Sequence, residues 1–136
     1  MQYLSGILVI AMAILLEGCS PQIIVIDRKG TTFELKKVEL ERGENIEVID
    51  SEALRYVPLD DIKKLVLDPS QTHYENSKLF YLAVIELNDG TIIQPVKTDN
   101  EITNSFVNVD NKLVGKGSSG TIVISFEDIN VINQSE

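Results

Sequence analysis

The sequence predicts an all-β fold made of two diverged copies of a small five-stranded unit, preceded by an apolar N-terminal helix. Three observations support this prediction: apolar and polar residues alternate with a period of two, turn residues separate the apolar runs, and two pairs of segments recur along the chain. The chain has 136 residues, 43% of them hydrophobic and 24% charged, which is the composition of an ordinary globular protein.

The N-terminal helix is predicted from residues 7–16, an uninterrupted apolar run. Spanning a membrane takes roughly 20 such residues, so the run is too short for that and is typical of a signal peptide. It ends in Leu16-Glu17-Gly18-Cys19, and Cys19 is the only cysteine of the chain. This ending resembles the lipobox of bacterial lipoproteins, which has a branched apolar residue three positions before the cysteine and a small residue directly before it.

The resemblance implies that residues 1–18 are a signal peptide cleaved between Gly18 and Cys19, and that the Cys19 thiol carries a diacylglyceryl group. Two or more acyl chains hold a protein stably on a membrane. Residues 19–22 would then be the lipid attachment and its tether. Ser20 stands where inner-membrane lipoproteins of enteric bacteria have aspartate, which implies the periplasmic face of the outer membrane. The alternatives are a signal peptide without lipidation and a cytosolic N-terminal helix.

The duplicated unit is predicted from two pairs of segments with matching chemistry. Residues 84–91 (VIELNDGT) repeat the pattern of residues 24–31 (IVIDRKGT) 60 positions later, and residues 124–129 (ISFEDI) repeat residues 57–62 (VPLDDI) 67 positions later. The order of the segments is the same in both copies, which indicates an internal duplication. The predicted organisation is a first unit at residues 23–67, a polar connector at 68–78, a second unit at 79–132 and a tail at 133–136.

Several local patterns predict the elements of a unit. The apolar parity changes between Lys36 and Lys37, which predicts a β-bulge or sharp bend. Residues 79–85 (LFYLAVI) are apolar on both parities and predict a central strand, and residues 88–90 (NDG) are compatible with a type I′ turn. Residues 58–65 have helical spacing, but the second copy is β-branched and too short for a helix, so both copies predict a single 3₁₀ turn before the final strand.

The order of strand, turn, long bent strand, hairpin, 3₁₀ turn and strand resembles small β-barrels of the Sm-like and Src-homology type. The resemblance concerns the topology of each unit and implies five strands in each. A unit of about 50 residues without disulfide or metal is marginally stable by itself. We therefore expect the two units to share an interface or exchange strands in one compact body, with a single β-sandwich as the alternative.

Composition excludes several function classes. The net charge of −9 and the lack of a Lys/Arg cluster argue against nucleic-acid binding. One cysteine and one histidine cannot form an internal disulfide or a His/Cys metal site. The acid pairs at 60–61 and 127–128 lack the pattern of a calcium loop and are expected to cap the 3₁₀ turns and face water. We expect no metal and no cofactor.

The sequence also offers few candidate catalytic residues. His73 lies in the polar connector, where we expect it to be solvated, since no nucleophile and orienting acid are predicted to converge on it. The sequence therefore predicts no catalytic site and no enzyme. Most aromatic side chains lie in apolar strand patterns and are expected in the core, whereas Tyr74 is expected at the surface; the expected core aromatics are Tyr56, Phe80, Tyr81, Phe106 and Phe126.

The remaining candidates are partner contacts. Residues 115–120 (GKGSSG) lack the P-loop pattern and are expected to form a mobile hairpin loop. Tyr74, Lys116 and Ser118 are the predicted contact residues. The expected function is that of a non-catalytic, lipid-anchored envelope protein that acts as a structural or protein-binding adaptor for another envelope protein, by β-augmentation. The alternatives are a small periplasmic inhibitor of a hydrolase or binder of a cation, and a hydrolase.

Overall fold

The computed structural model describes residues 22–100 and 102–135 and confirms the predicted all-β class. The expected N-terminal helix lies outside the described residues. The elements in chain order are β1 (Gln22–Asp27), β2 (Thr32–Leu40), β3 (Asn45–Asp50), β4 (Ala53–Pro58), a first 3₁₀ turn (Leu59–Asp61), β5 (Ile62–Glu75), β6 (Lys78–Leu87), β7 (Ile92–Ile93), β8 (Val96–Lys97), β9 (Ile102–Thr103), β10 (Ser105–Asn108), β11 (Lys112–Gly117), β12 (Gly120–Ser125), a second 3₁₀ turn (Phe126–Asp128) and β13 (Ile129–Ser135).

Eleven of these strands form one open antiparallel sheet in the order β12-β11-β2-β1-β13-β5-β6-β10-β3-β4, with β7 added beside β6. Strands β8 and β9 form a separate two-stranded ribbon. The centre of the sheet is the pairing of β13 with β5, in which Val131 lies opposite Val66. This pairing joins the two halves of the strand order, so the eleven strands form one open hydrogen-bonded sheet.

Strands from the segments 23–67 and 79–132 are interleaved in this sheet. Strand β2 of the first segment pairs with β11 of the second, and β3 of the first pairs with β10 of the second. Residues 68–78, expected as a connector, continue β5 to Glu75 and begin β6 at Lys78. They form a long hairpin instead of a loop because β6 supplies a pairing partner that sequence polarity does not reveal.

The main core lies on one face of the sheet and takes buried residues from strands at both ends of the strand order. A smaller cluster on the opposite face contains Ile49, Phe80 and Phe106, with Leu82 packed against it. Successive strand residues point to opposite faces, so Val48 and Ile49 enter different clusters. Both faces of β6 contribute buried residues, Phe80 on one and Ala83 and Ile85 on the other, as expected for a central strand, although Val84 is 39% exposed.

Two hairpin turns have the same geometry at equivalent positions of the repeated segments. The Gly30 N–H donates to the Asp27 carbonyl (3.1 Å), and the Gly90 N–H donates to the Leu87 carbonyl (3.0 Å). Both glycines have positive φ, 85° and 90°. The predicted type I′ turn at 88–90 is therefore wrong: φ is positive only at the final residue, as in a three-residue turn that ends in a glycine bulge.

The predicted bulge at Lys36–Lys37 is confirmed. Lys37 has a φ of 51°, and the register between β2 and β11 shifts at this point. The bend brings β2 close to β11, where a Cβ on Gly115 would lie 3.0 Å from both Leu35 Cβ and Val38 Cγ2. This close approach at the bulge leaves little room for a Cβ at position 115, which explains why the residue there is glycine.

The two predicted 3₁₀ turns are also confirmed, and each contributes one buried side chain to the main core, Leu59 and Phe126. Each turn also accepts a backbone hydrogen bond from one of the glycine hairpins. The Asn88 N–H donates to Asp61 and the Arg28 N–H donates to Asp128, both at 2.9 Å. These bonds fix each hairpin against the start of a neighbouring strand.

Candidate functional site

Strand β12 forms one free edge of the sheet and is the candidate binding surface. Among the described residues it pairs with β11 alone, from Gly117 opposite Gly120 to Lys112 opposite Ser125. Its sequence, GTIVIS, contains no charge and no proline. Val123 is 53% exposed. Natural edge strands are commonly protected by charges, prolines or bulges, so an uncharged edge with an exposed apolar residue is suited to pair with another strand.

The register of the hairpin determines which backbone groups face the free edge. The two-residue turn at Ser118–Ser119 closes on the pair Gly117 and Gly120, and hydrogen-bonded pairs alternate along an antiparallel ladder. Counting in steps of two from Gly117 and Gly120 makes Asn111 and Phe126 a hydrogen-bonded pair as well, and the Phe126 N–H does donate to the Asn111 carbonyl (3.1 Å). The N–H and C=O groups of Thr121, Val123 and Ser125 therefore point away from β11.

Lysine side chains border this edge on the face that Val123 shares. Lys112 and Lys116 lie opposite Ser125 and Thr121, and Lys36 follows next to Lys116 on β2. The Lys116 ammonium donates to the Thr121 hydroxyl oxygen (3.1 Å), so its charge lies over the edge strand. An added strand would meet a positive charge near Thr121 and an apolar surface at Val123.

The opposite edge of the sheet, β4, has the protective features that β12 lacks. Arg55 forms an ion pair with Asp50 (2.9 Å), and the strand ends at Pro58. Tyr56, expected in the core, is 62% exposed, because β4 has a partner strand on one side only. Charge and proline make this edge the weaker candidate for strand addition.

The three predicted contact residues lie in two places. Lys116 and Ser118 line the same groove beside Gln22, at the tip of the β11–β12 hairpin. Residues 115–120, expected as a mobile loop, are strand apart from the two-residue turn, because β11 and β12 pair as far as Gly117 and Gly120. Tyr74 is 71% exposed, as predicted, but it lies on β5 and does not line that groove.

His73, expected to be solvated, is half-buried and packs on an aromatic ring while part of its side chain stays exposed. Its ring stacks on Phe106 at a centroid distance of 5.3 Å. Nε2 lies 4.0 Å from the Glu75 Oε1 atom, longer than the hydrogen bond by which a carboxylate orients a catalytic imidazole. Of the other aromatic residues expected in the core, Phe80, Phe106 and Phe126 are buried, and Tyr81 is half-buried beneath the Arg28 guanidinium at 5.4 Å.

The acid pairs at 60–61 and 127–128 are exposed in the two 3₁₀ turns, as expected, but they do not cap them: the N-cap positions are Pro58 and Ser125, and neither makes a side-chain cap hydrogen bond. In residues 22–100 and 102–135, no group of three or more His, Cys, Asp or Glu side chains is placed to hold a metal ion. Cys19 and Gly18 lie outside the described residues.

Sequence reasoning missed the edge residues Thr121, Val123 and Ser125. The available signal was the absence of charge in residues 120–125, in a chain with a net charge of −9.

In the described part of the chain, no helix has the length and apolar character needed to cross a membrane. No protein-family model matches the chain, and no curated protein sequence matches it either.

Proposed function

We propose that this protein is a non-catalytic, lipid-anchored adaptor of the bacterial cell envelope that binds another envelope protein along β12. The observation that supports it is the uncharged free edge of β12, with Val123 exposed and three backbone positions directed outward. Addition of a strand there would supply main-chain hydrogen bonds, and the side chains beside the edge would select the partner.

In this proposal the lipid anchor is attached to Cys19, because the segment Leu16–Cys19 resembles a lipobox. Cys19 is three residues before Gln22, the first residue of β1, and three residues span at most about 10 Å. Gln22 lies in the same cross-strand row as Lys36, Lys116 and Thr121. The start of β12 would thus lie near the membrane surface, on the periplasmic face of the outer membrane, within reach of a partner held in the same membrane.

The partner in this proposal contributes an extended segment with an acidic residue and an apolar residue. The acidic residue would face the Lys116 ammonium, which lies over Thr121, and the apolar residue would face Val123. Opposite charges and apolar pairs on neighbouring strands each contribute roughly 0.2–1 kcal/mol. An acidic residue suits the start of this edge even though the chain as a whole is acidic, because Lys116 lies over Thr121 and Lys36 lies next to Lys116.

We also propose that the sheet consists of two diverged Sm-like units that have exchanged strands. The strand order has matching halves: β4, β3, β10, β6 and β5 occupy the same places as β12, β11, β2, β1 and β13. Backbone hydrogen bonds support the match, since Leu59 donates to Glu44 as Phe126 donates to Asn111, each pair 67 positions from the other. Each unit would take its first two strands from one copy and the rest from the other.

Substitution of Val123 by lysine tests whether β12 is the edge that binds the partner. Val123→Lys should release the protein from its envelope complex, because a charge on an edge strand opposes pairing with another strand. Tyr56→Lys is the matched control, an exposed residue at the other edge. Blue-native electrophoresis of gently solubilised membranes from the native host measures the complex. If Val123→Lys kept the wild-type complex size, or Tyr56→Lys alone lost it, β12 would not be the binding edge.

A further inference from the structure

A groove of about 910 Å³ lies on the face of the sheet opposite the main core, in the half that ends in β4. Its walls come from the β3–β4 turn, the outer part of β5 and the start of β10. Small-molecule sites occupy roughly 300–1,000 Å³. The groove therefore has the volume of a ligand site, and three separate features of the chain shape it.

The first feature is an aromatic floor. The His73 ring stacks on Phe106 with an interplanar angle of 27° and meets the edge of Phe80 at 6.4 Å. Phe80 and Phe106 are buried with Ile49 in the second cluster, so the imidazole rests on a fixed base. The His73 side chain is 43% exposed, which leaves ring surface available to a ligand.

The second feature is a bulge in β5. Asp68 pairs with Leu82 and Thr72 with Tyr81, so residues 69–71 bulge out of the register and carry Ser70 and Gln71 to the groove. The Ser70 N–H donates to the Asp68 carboxylate (2.9 Å). Hydrogen bonds from the Ser70 side chain and backbone lower the pKa of Asp68, which keeps the bulge bonded at neutral pH. Bulges are common beside functional sites.

The third feature is strain at Ser51, which has a φ of 61° in the turn between β3 and β4. A two-residue hairpin turn takes positive φ at its first central residue, and a non-glycine residue there costs about 1–3 kcal/mol. The Ser51 N–H donates to the Asn104 carbonyl (3.0 Å), which joins the turn to the chain just before β10. Two walls of the groove are thereby held at a fixed separation.

The side chains that line the groove define the ligand. Neither lysine nor arginine lines it, so the groove offers an anion no fixed positive charge. Its polar side chains can donate or accept hydrogen bonds, and the carboxylates Glu52 and Glu75 accept them from hydroxyl groups. The neutral polar side chains are Ser51, Ser70, Gln71, Thr72 and Asn104.

We propose that this groove binds a neutral saccharide, with the C–H face of a sugar ring on the His73 imidazole and its hydroxyl groups bonded to Gln71, Asn104 and Glu75. The C–H groups of a sugar ring pack on an aromatic face, and its adjacent hydroxyls match side chains that both donate and accept. The groove belongs to β3, β5 and β10, far from β12 in the strand order. Sugar binding is therefore independent of the adaptor function.

His73 gives a direct readout, because the chain has one histidine and hence one set of imidazole resonances. The full chain, in a detergent without a sugar headgroup, is titrated with chitotriose, maltotriose and cellotriose, and with tetramethylammonium as a cationic probe. At least one trisaccharide should shift the imidazole signals saturably, at a roughly millimolar concentration. Absence of a saturable shift up to about 50 mM, or a response to tetramethylammonium alone, would overturn the proposal.

Variants then locate the site through saturation-transfer signals of the sugar itself. His73→Ala should lower the affinity at least tenfold, and Gln71→Ala should lower it without disturbing strand pairing, because Gln71 lies in the bulge. Tyr74→Ala is the matched control, since Tyr74 adjoins His73 in β5 but does not line the groove. Equal binding by all three variants would place the sugar elsewhere and contradict the assignment.

Discussion

Replacing Cys19 with alanine is expected to abolish both lipidation and removal of the signal peptide. Without the thiol no diacylglyceryl group can be attached, and the stable hold of several acyl chains is lost. The intact mass of wild-type protein from native-host membranes should lack residues 1–18 and carry several acyl groups. The variant should show neither change, and its mass should be that of the full-length, unmodified chain.

Ser20→Ala is the control for this result, because it alters the residue next to Cys19 and leaves the thiol in place. It should be processed and lipidated like the wild type. A full-length, unmodified mass for the wild-type protein would contradict the anchor and the envelope localisation together. The β12 edge would then require a soluble partner.

Phe126→Ala is expected to lower the free energy of unfolding by about 3–5 kcal/mol, the usual cost of removing a buried phenyl ring. Phe126 is 1% exposed and packs in the main core from the second 3₁₀ turn. Whole domains have only about 5–15 kcal/mol of stability, so the melting temperature should fall by roughly 10 °C or more. Denaturant unfolding and calorimetry measure both quantities.

Leu59→Ala is the matched variant, since Leu59 occupies the equivalent place in the first 3₁₀ turn and is also buried. Because the main core takes residues from both segments, each variant should shift the same single unfolding transition. Val123→Ala, at an exposed site, should change stability by about 0.5 kcal/mol or less. Two separate transitions, each sensitive to one variant, would contradict the exchange of strands between the units.

Local features of the fold could be predicted from the sequence because short segments determine them. The change of parity at Lys36–Lys37 predicted the bulge, since a strand can keep one face buried through such a change only by inserting a residue. The repeat predicted both 3₁₀ turns, because comparing residues 58–65 with the second copy excluded a helix.

Strand partners could not be predicted in the same way. Periodicity assigns a face to each residue but does not identify the neighbouring strand, so the interleaving of β2 with β11 stayed one of several possibilities. The polar residues 68–75 indicated a loop because their pairing with β6 depends on tertiary structure. Tyr56 was assigned to the core by its alternating pattern, which does not distinguish an edge strand from a central one.

The two candidate binding surfaces could not be predicted from the sequence either. The expected contacts Lys116 and Ser118 lie at one end of the β12 edge, but the edge itself is defined by the absence of a neighbour in the sheet order. The His73 groove depends on three elements brought together by the fold, namely the β3–β4 turn, the β5 bulge and the start of β10. No linear motif joins them.

The most direct test of the adaptor function is site-specific photo-crosslinking in living cells of the native host. A photoreactive amino acid is introduced at Val123, and at Tyr56 on the opposite edge as the comparison. Crosslinking at position 123 should give one defined adduct that is lost with Cys19→Ala, and mass spectrometry should place the partner's crosslinked residue in an extended segment with an acidic residue nearby. No adduct at position 123, or the same set of abundant neighbours at both positions, would contradict strand addition at β12.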